Sequence, residues 1–237
     1  MNEIDQLPIA QIALARIYSQ LIYDDFIKST NIIHYKLRLT SCEAALVRLP
    51  NWDILTFKGS KEPLDWILNL TALPLPYGGG LCHAGFGLAH WSIWRKIKKD
   101  LNPSKPLLIT GHSLGGACAE ISAALVSGHK APVSMITFGK PNVWVKGCAP
   151  NMSHLKHQVS VVNGSDIVAR IPRRFFGPSE SQHMLYFGMD NNDYLNPSKE
   201  LLRAELSKKH MLKHHSLALY DERLCQMSNR MRLAASN

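Results

Sequence analysis

The residue best suited to covalent chemistry in this sequence is Ser113, in the segment Gly111-His-Ser-Leu-Gly-Gly116. A short apolar run at residues 107–110 precedes it and predicts a buried strand, and the alanine-rich residues 117–126 predict a helix. A strand, G-x-S-x-G and a helix in this order indicate a nucleophile elbow, a strained turn that presents a serine hydroxyl at the tip of a sheet. Both motif glycines are expected to be required, because a side chain there would collide where strand and helix pack closely. The alternative is an ordinary glycine-rich turn in which Ser113 caps the helix.

A serine nucleophile needs a general base, and the base needs a carboxylate that fixes its tautomer. On an elbow scaffold the acid and then the histidine follow the serine, each in a loop after a later strand. Asp166 fits the acid, because it comes just after an apolar run at residues 158–162. Asp190 and Asp193 are the alternatives, but their Asp-Asn-Asn-Asp segment is typical of a polar turn. That segment lacks the spacing of a calcium loop, so no metal site is expected there.

Two adjacent histidines, His214 and His215, precede the last predicted helix and are the candidates for the base. Ser216 could cap that helix and leave the His215 ring in the entering loop, free to turn inward. Adjacent residues of an extended loop point to opposite sides, so only one of the two rings can reach Ser113. We predict His215 as the base, with His214 as the alternative.

Stabilising an oxyanion on this scaffold takes two backbone N–H groups. One belongs to the residue after the nucleophile, here Leu114, and the other to a loop after an earlier strand. The segment Leu55-Thr-Phe-Lys-Gly-Ser60 fits the second position, because an apolar run ends at a glycine that lets the chain approach the site. Leu114 and Ser60 are therefore the predicted oxyanion donors, although an ordinary strand-to-helix turn fits the local sequence at Ser60 equally well.

The elements that must position these residues follow from hydrophobic periodicity. Strands are expected at residues 44–49, 53–57, 107–110, 133–138 and 158–162, with a further hydrophobic stretch at residues 184–187. Helices are expected at residues 3–22, 62–70, 85–99, 117–126, 198–207 and 216–227, and a loop at residues 71–80. In the first helix the apolar face is formed by Ile9, Ile12, Ala13, Ile17 and Leu21. Alternating strands and helices predict an α/β fold with a mostly parallel sheet covered by helices on both faces.

The length of 237 residues and the 46% of hydrophobic residues suffice for one α/β domain, and residues 1–237 are predicted to form a single domain. No apolar run reaches the roughly 18 residues of a membrane-spanning helix. The formal net charge of +9 is spread along the chain rather than gathered in one basic arm. A solvated basic surface explains it, with weak attraction to an anionic membrane surface as the alternative, and no nucleic-acid partner is expected.

The cysteines are odd in number, scattered and without a C-x-x-C pair, at Cys42, Cys82, Cys118, Cys148 and Cys225. This pattern predicts reduced thiols rather than a disulfide framework. The first residues are acidic and no hydrophobic signal region follows them, which predicts the absence of a secretory signal peptide. A cytoplasmic location is therefore expected, with release by a route that needs no signal peptide left open.

Taken in order, these segments resemble the class 3 lipases, the fungal-type triacylglycerol lipase family of the α/β-hydrolase superfamily. The resemblance runs over residues 55–220 and rests on Phe57-Lys-Gly-Ser60, Asp65-Trp66, His83-Ala-Gly-Phe86, Gly111-His-Ser-Leu-Gly-Gly116, Thr137-Phe-Gly-Lys-Pro-Asn-Val143, Asn163-Gly-Ser-Asp166, and His215 ahead of Tyr220. Lys58 and Asn142 stand where the family usually has arginine, and many members have a shorter interval than that from His215 to Tyr220. The lid region, at residues 61–80, is short, so strong interfacial activation is not expected.

The resemblance implies a serine hydrolase of carboxylic esters, of the triacylglycerol lipase or phospholipase A1 type, that forms an acyl-enzyme on Ser113. Its substrate would be a lipid or another ester, and no cofactor would be needed. Trp66, Ile67 and Leu75 could line an acyl groove, and ordinary core packing explains them equally well. An acyltransferase with the same triad, or a non-catalytic lipid-binding module on the same fold, is the alternative function.

Overall fold

The structure, a computed structural model, describes residues 7–24, 31–36, 42–60, 73–173, 175–178, 183–206 and 213–235. Its strands are β1 (Ile32–Lys36), β2 (Glu43–Arg48), β3 (Asp53–Phe57), β4 (Pro74–Tyr77), β5 (Gly80–His83), β6 (Leu107–His112), β7 (Val133–Phe138), β8 (Trp144–Val145), β9 (Leu155–Asn163), β10 (Phe176–Gly177), β11 (His183–Phe187) and β12 (Asp193–Leu195). Its α-helices are α1 (Ile9–Leu21), α2 (Ala84–Asp100), α3 (Leu114–Leu125), α4 (Lys199–Leu206) and α5 (Leu217–Ala235), and short 3-10 turns lie at Val168–Arg170 and Lys213–His215.

The larger sheet has the strand order β1-β2-β3-β6-β7-β9-β11-β12. Its central strands from β3 to β11 pair in parallel, whereas the pairs β1–β2, β2–β3 and β11–β12 near the edges are antiparallel. The prediction of a mostly parallel α/β sheet is therefore confirmed. Because parallel strands end at the same edge, the loops that follow β3, β6, β7 and β9 meet there, at the edge where open α/β sheets bind ligands.

Helices cover both faces of this sheet, as predicted. Alternate strand residues point to opposite faces. Leu55 and Ile109 belong to a buried cluster with residues of α2 and α3, and their neighbours Ile54 and Leu108 belong to a second cluster with residues of α1 and α5. The sheet thus separates two hydrophobic layers, which explains why its central strands are apolar on both faces.

A smaller sheet, with the strand order β10-β8-β5-β4, corrects the prediction of a loop at residues 71–80. β4 and β5 form a hairpin whose turn contains Gly78 and Gly79, with φ of +68° and +82°. Two consecutive residues of positive φ are the favoured connection of a tight hairpin. Pro74 and Pro76 fit because β4 is an edge strand, where a missing N–H donor is tolerated. The prolines and glycines therefore mark a hairpin and not an irregular loop.

Most other elements lie where they were predicted. The strands predicted at residues 44–49, 53–57, 133–138 and 158–162 correspond to β2, β3, β7 and β9, and the helices predicted at residues 85–99 and 198–207 to α2 and α4. β1 and the short strands were not predicted, and α5 continues to Ala235, beyond its predicted end at residue 227. The helix predicted at residues 62–70 lies outside the described residues. None of the described helices is long and apolar enough to span a membrane.

α1 is helical as predicted, but its predicted apolar face is buried only in part, since Ile12 is buried and Ala13 is exposed. Ile12, Ala15 and Ser19 are buried, whereas Ile17 is 51% exposed. Ser19 can be buried because its Oγ lies 3.0 Å from Thr110 Oγ1 of β6, which gives the hydroxyl a hydrogen-bond partner. A prediction from apolar residues alone omits such a serine and so rotates the predicted face.

Candidate active site

Ser113 lies in the turn between β6 and α3, with φ of 58° and ψ of −130°. A residue with a side chain adopts such a backbone conformation only when the surrounding structure imposes it. The Ser113 side chain makes no capping hydrogen bond to α3, so the alternative of a simple helix N-cap is wrong. The Ser113 amide donates to the Phe138 carbonyl at the end of β7, at 3.0 Å, and this bond ties the turn to the sheet.

The motif glycines are required by close backbone packing, as predicted. A Cβ on Gly111 would lie 2.4 Å from the carbonyl group of Gly115, and a Cβ on Gly115 would lie 2.2 Å from the carbonyl oxygen of Phe57. Real Cβ contacts are never this short. Because Phe57 ends β3, the start of α3 packs directly against the end of that strand.

Asp166 and His215 are both buried and contact each other. Nδ1 of His215 lies 2.9 Å from Oδ2 and 3.1 Å from Oδ1 of Asp166. A carboxylate can only accept, so Nδ1 carries the proton and Nε2 carries the lone pair. Nε2 has no hydrogen-bond partner among the described residues and is therefore available to accept a proton.

The His215 ring lies beside the Ser113 turn. It stacks on the ring of His112, the residue before Ser113, with ring centroids 4.5 Å apart. Ser113 Oγ is buried and, like His215 Nε2, has no hydrogen-bond partner in the described part of the chain, so the two atoms are not hydrogen-bonded to each other. Such bonds often form only when substrate is bound.

Tyr220, which the sequence analysis named only for its spacing from His215, is a member of the site. Its hydroxyl donates to Asp166 Oδ2 at 2.7 Å and accepts from the Asn163 amide at 3.1 Å. Burial and the negative charge of Asp166 raise the pKa of Tyr220 well above its ordinary value, so the hydroxyl stays protonated as a donor. The amide of Val168 donates to the other carboxylate oxygen, Oδ1, at 2.9 Å. Both Asp166 oxygens therefore have donors besides His215.

His112 holds the backbone of His215 and was also missed. Its Nε2 lies 2.8 Å from the His215 carbonyl oxygen, which makes Nε2 the donor, and its Nδ1 lies 3.3 Å from the Tyr23 hydroxyl. Burial, and to a lesser extent the nearby His215, lowers the pKa of His112 to about 3, so this imidazole is neutral. No pattern in the sequence distinguishes this histidine. Its partners are distant in the sequence, because Tyr23 follows α1 and His215 precedes α5.

Gly139, after β7, explains why the chain can pass so close to Asp166 and His215. Its φ is +54°, and a Cβ there would lie 2.6 Å from Asp166 Oδ2, 2.9 Å from the Tyr220 hydroxyl and 3.1 Å from His215 Nδ1. The side chain of any larger residue would overlap the hydrogen-bonded side chains of Asp166, His215 and Tyr220. The signal in the sequence was the glycine of Thr137-Phe-Gly139, which the resemblance identified as part of a motif but not as part of the site.

The rival residues lie elsewhere. His214 packs against Gly164, where an added Cβ would lie 2.3 Å from His214 Nδ1, and the histidine that contacts Asp166 is His215. Asp190 lies in an exposed turn and accepts hydrogen bonds from Asn192 and Tyr194. Asp193 pairs with Arg230 of α5. Of the three predicted acids, Asp166 alone contacts a histidine among the hydrogen bonds of the described residues.

The predicted oxyanion segments lie on both sides of Ser113. Leu114 is the buried first residue of α3. On the other side, a Cβ on Gly59 would lie 3.1 Å from Ser113 Cβ, which brings the β3 loop, including the adjacent and partly buried Ser60, to the turn. Of the predicted groove residues, Trp66 and Ile67 lie outside the described residues. Leu75 lies on β4, and its Cδ2 would be 2.9 Å from a Cβ on Gly87 of α2, as expected of a packing residue.

The sequence profile for lipase (class 3) matches residues 54–176 of this chain. A secreted mono- and diacylglycerol lipase 1 from Fusarium solani is 31% identical over 135 residues, which are 52% of this chain and 40% of that protein. The chain spans less than half the length of the curated relatives that it matches. That the Fusarium relative is named as secreted does not fit the expectation of a cytoplasmic location.

Two solved lipase structures have the same fold. The Rhizomucor miehei triacylglyceride lipase has a TM-score of 0.64 at 20% identity and covers 90% of this chain and 92% of its own. A triacylglycerol lipase whose catalytic centre is described as a serine protease triad has a TM-score of 0.66 at 20% identity, with coverage of 90% and 92%. At this identity the likeness shows the fold, which is that of the α/β-hydrolases.

Proposed function

The chain belongs to the class 3 lipase family, and from this membership we propose that it hydrolyses carboxylic esters of lipids through an acyl-enzyme on Ser113. The observation that carries the proposal is the contact between His215 Nδ1 and Asp166, at 2.9 Å, which leaves Nε2 as a base beside the strained serine turn. Without an adjacent base a serine hydroxyl is a poor nucleophile near neutral pH.

In the first half of the reaction Ser113 Oγ attacks the ester carbonyl carbon while His215 Nε2 takes the hydroxyl proton. Asp166 accepts from Nδ1 and stabilises the imidazolium that forms. The tetrahedral intermediate then expels the alcohol, which receives the proton from Nε2. The acyl group remains on Ser113 as an ester.

In the second half a water molecule gives a proton to His215 Nε2 and attacks the acyl carbon. The second tetrahedral intermediate releases the fatty acid, and the proton on Nε2 returns to Ser113 Oγ. In both halves the amides of Leu114 and Ser60 are the proposed donors to the oxyanion, because the two segments flank the nucleophile. Donors fixed before the reaction stabilise the developing charge without reorganisation.

The proposed substrates are acylglycerols. Supporting this are the relative from Fusarium solani, named as a mono- and diacylglycerol lipase, and the solved triacylglycerol lipases. The net charge of +9 supports a weak attraction to anionic lipid surfaces. Hydrolysis rather than acyl transfer to an alcohol is the proposed outcome, and the released products distinguish the two.

The experiment compares wild type, Ser113→Ala and Ser134→Ala. Ser134, on β7, is a matched control because its hydroxyl is equally buried and has no hydrogen-bond partner among the described residues. Ser113→Ala should lower hydrolysis of p-nitrophenyl esters and of diacylglycerol by at least about 10⁴-fold, and Ser134→Ala should retain it. A fluorophosphonate probe should label wild type at Ser113 alone. Labelling at another residue, or full activity in Ser113→Ala, would contradict the proposal.

A further inference from the structure

A cavity of about 450 Å³ lies on the α3 face of the larger sheet, beyond the serine turn. Val162 of β9 and Met184 of β11 face it, while their neighbours Val161 and Leu185 belong to the cluster on the opposite face. Ser113, Asp166 and His215 do not line it. The cavity is therefore separate from the candidate active site.

The lining of this cavity has two kinds of residue. The apolar ones are Val162, Ala169, Phe176, Pro178, Met184 and Leu202. The basic ones are Lys140, Lys146, Arg170, Arg173, Lys199 and Arg203, and the described lining contains no acidic residue. An apolar lining with a few well-placed polar groups is the usual form of a small-molecule site, and a volume of about 300–1,000 Å³ is typical of one.

Two of the basic residues are held in place by buried partners. Lys140 Nζ lies 2.9 Å from Glu120 Oε2 of α3, and both side chains are almost fully buried. Arg170 donates to the carbonyl oxygens of Leu202 and Gly164, at 3.0 Å each. The Lys140 charge is thus compensated within the protein. Arg170 also donates to the Tyr186 hydroxyl, at 3.3 Å, and forms no ion pair with a described residue.

Three other basic residues lie at the exposed rim. Lys199 and Arg203 are one turn apart on α4, and Leu202 lies between them in the lining. Arg173 approaches from the segment after the Val168–Arg170 turn, and its Nε donates to the Arg170 carbonyl at 3.1 Å. None of the three forms an ion pair with a described residue. Their charges can therefore be neutralised by a ligand.

We propose that this cavity binds an anionic amphiphile, a molecule with one alkyl or acyl chain and a phosphate or carboxylate head. The head would bind Arg173, Lys199 and Arg203, since guanidinium groups bind both oxyanions in bidentate fashion. The alkyl or acyl chain of the ligand would pack on the apolar lining, which includes Phe176 and Met184. A neutral lipid would leave the rim charges unneutralised, so the site favours the anion. Binding here does not depend on hydrolysis at Ser113.

The test is calorimetric titration of the full chain with dodecyl phosphate and with dodecanoate, below their micelle concentrations. Neither probe is a carboxylic ester, so binding is measured whether or not the chain is a hydrolase. The cavity variant is Lys199→Gln with Arg203→Gln. Its matched control is Arg95→Gln with Lys99→Gln, which removes the same pair of residue types at the same spacing from an exposed face of α2.

The cavity variant should weaken binding at least tenfold, and the control variant should stay within twofold of wild type. Neutral dodecyl maltoside should bind wild type at least tenfold more weakly than dodecyl phosphate. Binding of only one anionic probe would identify the source of the ligand as a phosphate-bearing lipid or a free fatty acid. Equal losses in both variants, equal binding of the neutral probe, or no binding of either anion to wild type would each overturn the proposal.

Discussion

At the scale of single residues, the site depends on how one buried carboxylate is satisfied. Removing a carboxylate from water is costly unless hydrogen bonds replace its hydration. Asp166 accepts from His215 Nδ1, from the Tyr220 hydroxyl and from the Val168 amide, at 2.7–3.1 Å. These bonds fix both the position of the carboxylate and the tautomer of His215. The position of the lone pair on Nε2 thus depends on how Asp166 is held. Its hydrogen-bond partners lie in the Val168–Arg170 turn, in the Lys213–His215 turn and in α5.

The two adjacent histidines should differ sharply when each is replaced by alanine. His215→Ala should lower kcat/KM for p-nitrophenyl esters by at least about 10³-fold, because general base catalysis is lost. His214→Ala should lose less than about threefold, since its ring packs on Gly164 and the contact with Asp166 is made by His215. The His112 bond is to the backbone carbonyl of His215 and survives either change. Equal losses, or a larger loss in His214→Ala, would contradict the assignment.

At the scale of elements, the site is assembled by loops that end parallel strands. β6 leads to Ser113, β9 leads to Asp166, and the loops after β3 and β7 pass beside them. The β7 loop passes directly against Asp166 and His215, because a Cβ on Gly139 would lie 2.6 Å from Asp166 Oδ2 and 3.1 Å from His215 Nδ1. Parallel pairing brings these segments together although they are far apart in the sequence.

Gly139→Ala should therefore lower activity without removing a functional group. The added Cβ would displace Asp166 or His215, and misplacement by about 1 Å can cost about 10²-fold in rate. The control is Gly128→Ala, after α3, because a Cβ there would have no atom within 4 Å. Gly128→Ala should retain activity and should not lower the melting temperature. Wild-type kcat in Gly139→Ala would show that the site can rearrange around the extra atom.

At the scale of the whole molecule, the buried histidines His83, His90 and His112 form no ion pair with another described residue. Burial lowers the pKa of His83 to about 4 and of His90 to about 3, and burial followed by the nearby His215 lowers the pKa of His112 to about 3. The unfolded chain binds protons at these residues below their ordinary pKa of 6.5, whereas the folded chain does not. Stability is therefore lost as the pH falls from about 6.5 towards these lowered values.

His90→Gln should reduce this loss of stability in acid. One such histidine contributes at most about 1.4 kcal/mol per pH unit and about half of that at pH 6.5, so the free energy of unfolding between pH 6.5 and 5 should fall by about 1.6 kcal/mol less in the variant. His183→Gln, which changes an exposed histidine, is the control and should follow wild type. Urea unfolding at several pH values measures the slopes. Identical slopes for wild type and His90→Gln would mean that His90 is protonated in the folded protein.

The sequence by itself determined the features that are local in the chain. The strand, glycine turn and helix around Ser113 are consecutive, so composition and periodicity predict them together. The central strands β3, β7 and β9 were predicted for the same reason, since apolar runs of this length are buried on both faces. The order of acid and base after the serine also followed from the sequence alone. The prediction of a loop at residues 71–80 failed because it rested on the number of prolines and glycines. It did not consider that two short strands can pair there, as β4 and β5 do.

Only the tertiary structure decided which side chains contact each other. Asp166 and His215 are 49 positions apart, and whether the ring of His215 or of His214 faces the acid depends on how α5 docks on the sheet. Tyr220, His112 and Gly139 join the site through contacts of the same kind, which no local pattern encodes. The cavity with the basic lining is likewise formed by distant parts of the sequence, namely the loop after β7, β9 with the turn that follows it, and α4. A side chain's partners depend on strand register and helix docking, which are set by the packing of the whole core.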